Sequence, residues 1–89
     1  MHVVTAAYRT KKRVLLETTK MYGAGYSVGI SKDEQYPNSL GHTLWLLQGI
    51  EMKYVTDAKA HRWLGWAQSN VFNFFESITL ADLKEINEG

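Results

Sequence analysis

Between Ala60 and Phe75 the apolar side chains fall three or four residues apart: Ala60, Trp63, Leu64, Ala67, Val71, Phe74 and Phe75. An α-helix turns once every 3.6 residues, so this spacing stacks them all on one stripe, whereas a strand would divide them between two faces. The pattern predicts a helix over 57–75, capped by Thr56 or Asp57, either of which can accept a backbone N–H of the first turn. The same spacing recurs in Leu40, Thr43, Leu44, Leu47, Ile50 and Tyr54 behind Asn38 or Ser39 as a cap, and predicts a helix over 39–54. Only Val55 and Thr56 or so separate the two, and so short a link turns the chain back on itself. Residues 39–75 are therefore expected to form an antiparallel helical hairpin.

The flanking segments follow from the same rules. Thr5 to Tyr22 contains neither glycine nor proline, and Val4, Ala7, Tyr8, Leu15 and Tyr22 fall near one face, although Lys11 interrupts the stripe. This predicts a basic N-terminal helix within residues 1–22, with Val3 to Ala7 either helical or extended. Gly23, Gly25, Gly29 and the Tyr36-Pro37-Asn38 turn make 23–38 an irregular connector, the place for a hinge or binding loop. Thr79 and Asp82 have the spacing of a capping box before Leu80, Leu83 and Ile86, which predicts a short helix over 79–87 lidding the open end of the hairpin. The chain shows no internal repeat and no linker. At 10.2 kDa it buries roughly 64% of its open-chain surface in one core. The expected fold is a single all-α domain spanning 1–89.

Several kinds of chemistry find no residues to carry them. The absence of cysteine removes disulfides, thiolate metal sites and cysteine nucleophiles, and fits a reducing compartment. His2, His42 and His61 lie on three separate segments without the spacing of a metal motif, so no metal and no cofactor is expected. No serine or threonine sits in a nucleophile motif, and no pair of carboxylates stands out for acid–base work, so no catalytic residue is assigned. Gly23 to Gly29 follows a helix rather than a strand and lacks the spacing of a phosphate loop. The longest apolar run, Leu44 to Leu47, falls far short of the ~18 residues of a membrane span, which points to a cytoplasmic protein.

Binding is the chemistry that remains. The first 30 residues carry Arg9, Lys11, Lys12, Arg13 and Lys20 against Glu17 alone, a balance of +4 that the rest of the chain, at −3, nearly cancels. Arg9 to Arg13 is either a phosphate-attracting patch, together with Tyr8 as a stacking ring, or a solvated helix face; the acidic remainder can also pair with the basic end of a second copy. A pI of 8.0 falls below the range of dedicated nucleic-acid binders, above about 9, and makes nucleic acid the less favoured partner.

On the hairpin, a helical wheel places Trp45 with Gly41, Gly49 and Met52 away from Leu44 and Leu47, as an exposed aromatic anchor. Lys59, Arg62, Trp66, Asn70 and Asn73 share a flank of the second helix. That flank either stacks a base and grips a phosphate, or is structural, with Arg62 stacked on Trp66 and paired with Glu51. His42 and His61 are expected as half-buried surface imidazoles able to meet an anion.

The segments Ser39-Leu40-Gly41-His42-Thr43-Leu44-Trp45-Leu46-Leu47, Lys59-Ala60-His61-Arg62-Trp63-Leu64-Gly65-Trp66-Ala67-Gln68 and Ser77-Ile78-Thr79-Leu80-Ala81-Asp82-Leu83-Lys84, closing on Asn87, resemble a helical module of small tailed-bacteriophage accessory proteins. The resemblance covers 39–87, with Arg62-Trp63-Leu64-Gly65 as its most specific part. Trp66 stands where that family often has another aromatic, and Ser69 where it often has glycine. It implies a viral accessory protein in the host cytoplasm and no particular reaction. The expected function is non-enzymatic: capture of a host protein, or self-association, through the Trp45 face. The alternatives are sequestration of an anionic nucleotide, including a cyclic-nucleotide immune signal, and nucleic-acid binding through the basic patch.

Overall fold

The computed structural model describes residues 2–88, which form four α-helices: α1 (Val3–Tyr22), α2 (Leu40–Glu51), α3 (Asp57–Phe74) and α4 (Leu80–Glu88). Each boundary has a local cause. His2 Nδ1 accepts the Thr5 N–H at 3.2 Å and starts α1, so Val3 to Ala7 is helical. Gly23 ends it at φ 97°, a conformation that glycine takes without a Cβ clash, while its N–H closes on the Thr19 carbonyl. Ser39 and Thr56 cap α2 and α3 through their hydroxyls. Thr79 and Asp82 exchange bonds, the Thr79 N–H donating to Asp82 Oδ2 at 2.8 Å and the Asp82 N–H to Thr79 Oγ1 at 3.1 Å. The bond from the Thr79 backbone N–H, then the Thr79 side-chain hydroxyl and the nearby Arg13, hold the Asp82 carboxyl below its usual range against the smaller opposing effect of burial.

Helices α2 and α3 pack antiparallel. Asn70, late in α3, donates to Thr43 Oγ1 near the start of α2 at 3.1 Å, while Trp63, early in α3, covers Gly49 near the end of α2. Leu44, Leu47, Ile50, Leu64, Val71, Phe75 and Ile78 lose nearly all their exposure in this seam and beneath α1 and α4. The second hairpin helix is one residue shorter than its pattern, and the first stops at Glu51, because Lys53 turns to φ 59°. Tyr54 is consequently thrown off the stripe and is among the most exposed side chains. The total accessible surface of 5620 Å² is close to the ~5,300 Å² expected for a folded monomer of this mass.

The first helix is turned differently from its apparent stripe. Its buried face is Ala6, Ala7, Thr10, Val14, Glu17 and Thr18, while Tyr8, Leu15 and Tyr22 face solvent. This polar inner face is tolerable because its groups are paired. Thr10 Oγ1 donates to the Ala6 carbonyl at 2.7 Å, and Arg13 Nε meets Glu17 Oε1 at 2.9 Å. Lys11 Nζ reaches Glu51 Oε2 at 2.7 Å, so Glu51 pairs with the first helix rather than with Arg62.

Gln68 ties three helices together. Its Nε2 donates to Thr10 Oγ1 and to Asn87 Oδ1, and Asn87 Nδ2 returns a bond to Gln68 Oε1. Through this network and the Arg13–Asp82 pair, α4 lies along α1 rather than lidding the end of the hairpin.

Candidate functional site

The face expected to dock a partner through Trp45 is largely covered within the chain. Residues 28–33 of the connector fold back over the start of α2, with the Ser31 N–H on the Gly41 carbonyl and the Asp33 N–H on His42 Nδ1 at 3.0 Å. Gly41 permits this approach, since a Cβ there would stand 2.6 Å from the Gly29 carbonyl oxygen. Trp45 is half-buried between the His42 ring at 5.4 Å and the Trp63 ring at 5.2 Å, and Lys32 Nζ lies 5.7 Å from its centroid. His42 is buried rather than a surface imidazole. Accepting from Asp33 places its proton on Nε2 and makes it a pin for the connector. A wheel drawn for the hairpin alone exposes this face because it leaves out the connector.

The basic patch is divided. Lys11 and Arg13 are spent on Glu51, Glu17 and Asp82, and Arg13 also approaches the Ser77 carbonyl. The Arg13 hydrogen bond holds the Glu17 carboxyl below its usual range against the opposing effect of burial, with Ser77 and Lys20 adding to it. Arg9 and Lys12 have no carboxylate within ion-pair distance among the described residues, and Lys12 Nζ lies 5.6 Å from the Tyr8 ring centroid.

These two cations open onto a groove of about 730 Å³ between α1 and α4, lined by Arg9, Lys12, Leu15, Leu16, Glu85 and Ile86 among others. Along α1 the groove continues into an outward row, Tyr8, Lys12, Leu15, Thr19 and Tyr22, whose steps of four and three residues are those of a heptad seam. Tyr8 is 48% exposed, Leu15 39%, Leu16 50% and Tyr22 51%, and Tyr26 packs on Tyr22 at 4.6 Å. Three of the five residues in this row, Tyr8, Leu15 and Tyr22, are large apolar side chains turned to solvent. The sequence places Leu15, Tyr22 and Ile86 on apolar faces and assigns neither these nor Leu16 and Glu85 to a site; the 8–15–22 interval is the signal that could have found the row.

The α3 flank divides in the same way. Lys59 lies over the Trp63 ring at 5.2 Å, and Arg62 makes neither the stack on Trp66 nor the pair with Glu51. Trp66 is 53% exposed and, with Asn38, Ser69, Asn70, Asn73 and Phe74, lines a separate pocket of about 420 Å³. Among the described residues no group of three or more His, Asp or Glu side chains is placed to hold a metal ion, and no helix is long and apolar enough to cross a membrane. Compared with known proteins, the chain matches no family model, no curated sequence and no solved structure.

Proposed function

We propose that the protein is a non-enzymatic interaction protein that pairs with a second copy of itself through the outer face of α1 and its groove with α4. The observation that carries this reading is the exposed heptad row on a helix whose inner face is already satisfied. A free row of this length costs solubility unless something covers it.

A second copy is the occupant that fits. In an antiparallel pair about a two-fold axis at Leu15, Leu15 meets its own counterpart, Tyr8 meets the other copy's Tyr22, and the outward residue near Lys12 is uncharged Thr19. Charge favours the same arrangement. On α1, Arg9 and Lys12 are left without an ion pair, whereas α4 carries Glu85 and Glu88 against Lys84, none of them paired among the described residues. A two-fold then sets the acidic wall of each copy beside the basic helix of the other, which is the complementarity an isologous interface needs. A stable interface needs about 800 Å² from each partner. A 20-residue helix, ~30 Å long and ~10 Å wide, provides less than that alone, so the α4 wall belongs to the contact.

The resemblance of residues 39–87 to the phage module supports an accessory role in the host cytoplasm for such a dimer. Light scattering behind size exclusion tests the reading. The wild-type chain should run at twice 10.2 kDa and the Leu15→Glu variant at the single mass with unchanged helicity. A wild-type monomer at high micromolar concentration would overturn it.

A further inference from the structure

We infer that the flank of α3 around Trp66 is a binding site for a nucleobase carrying a phosphate, with the base stacked on the indole and the phosphate on Arg62. It shares no residue with the α1–α4 groove and stands independently of self-association.

The rings of Trp45 and Trp63 are each occupied by a lysine and by one another. Trp66 has neither an aromatic neighbour nor a cation over it among the described residues, and half of it is in solvent. An open indole face is a stacking platform for any planar ring.

Amides supply the edge. Asn70 and Asn73 follow Trp66 by one and two helical turns on the same side, and Asn38 arrives from the connector, held by the bond from Asn70 Nδ2 to the Pro37 carbonyl at 3.3 Å. Asn70 spends its Nδ2 on Pro37 and Thr43, which turns its role in the pocket to that of an acceptor, while exposed Asn73 and Asn38 can both donate and accept. Donors and acceptors beside a stacking ring are what reading a base edge requires.

Charge separates a nucleotide from a neutral ring such as a sugar. From Ala58 to Phe75 the chain has Lys59, His61 and Arg62 and no carboxylate. Arg62 is exposed, makes no ion pair among the described residues, and precedes Trp66 by one turn, ~6 Å along the axis. Cation, ring and amides thus follow one another along one flank. The pocket of about 420 Å³ lies within the range of small-ligand sites. A free nucleotide and a single-stranded nucleic acid present the same base and phosphate.

The test is a titration with AMP, UMP and a deoxythymidine octamer, followed by tryptophan fluorescence and by the NMR indole signal of Trp66, with N-acetylglucosamine as the neutral-ring control. Quenching together with a shifted Trp66 indole signal is expected. Trp66→Ala should weaken binding roughly ten- to a hundredfold, the scale of one stacked base. Arg62→Gln should weaken it and flatten its salt dependence. Because Trp66 is half exposed and outside the core, circular dichroism should show both variants folded. Equal affinity for mononucleotide and octamer identifies a free nucleotide, and a tighter, steeply salt-dependent octamer identifies a single strand. No response at millimolar nucleotide, a response only to the sugar, or perturbation confined to Arg9 and Lys12 would each overturn the assignment.

Discussion

Replacing Gln68 by alanine should loosen three helices at once. Gln68 is 8% exposed and takes part in three hydrogen bonds, one with Thr10 on α1 and two with Asn87 on α4. Each bond is worth about 1 kcal/mol net. The partners are not left wholly unsatisfied, because Thr10 keeps its bond to the Ala6 carbonyl and Asn87 is only half-buried and can turn to water. The expected loss is therefore about 2–3 kcal/mol, a large share of the ~4–13 kcal/mol available to a domain of this size. At ~4–8 °C per kcal/mol, Tm should fall by ~8–24 °C in a melt followed by circular dichroism. Protein concentration must be fixed, because association adds to apparent stability. Asn87→Ala removes two of the same bonds, so the double variant should be less destabilised than the sum of the singles by at least ~0.5 kcal/mol. A Gln68→Ala protein within ~0.5 kcal/mol of wild type, or strict additivity with Asn87→Ala, would refute the view that this network clamps α4 to the bundle.

Two further outcomes follow from packing and charge. A Cβ on Gly49 would stand 2.9 Å from Trp63 Cζ3, so Gly49→Ala should push Trp63 off Trp45, cost about 1–3 kcal/mol and reduce the near-ultraviolet dichroism of the tryptophan pair. The folded-state pKa of Glu17 is depressed, so the unfolded chain binds its proton first. The stability it contributes is complete above the unfolded value of about 4.3 and is lost as pH falls below that through the folded value. Urea melts of wild type and Glu17→Gln should diverge at pH 6–7 and converge toward pH 2–3; a constant difference across that range would contradict the pairing with Arg13.

The parts of this molecule that could be read from its sequence are those governed by neighbours along the chain. The 60–75 stripe, the caps at 38–39 and 56–57 and the Thr79–Asp82 box each depend on residues within one or two turns, and each has its place in the structure, with Ser39 and Thr56 as the caps and with Phe74, 45% exposed, as the one stripe residue turned outward. The orientation of α1 did not, because its inner face is made of Thr10, Glu17 and Thr18, whose burial is allowed only by partners on other helices or one turn away. An apolar count along α1 alone chooses the wrong side. The same limit placed Trp45 outside, since the connector that covers it is 12 or more residues distant in sequence and carries no periodic signal. On α3 the shared flank of Lys59, Arg62, Trp66, Asn70 and Asn73 was legible, but whether Arg62 and Trp66 are free or paired with each other and Glu51 was not, and Asn38 joins that flank only through the folded connector.

The central claim is that α1 meets a second α1 antiparallel about Leu15, and thiol crosslinking measures this directly because the chain has no cysteine of its own. Tyr8→Cys and Tyr22→Cys proteins, mixed and treated with a short bis-maleimide, should join to each other. Tyr8→Cys alone should not, since its two copies would lie ~21 Å apart along the paired helices. Efficient crosslinking of Tyr8→Cys to itself, or no preference for the mixed pair, would contradict it.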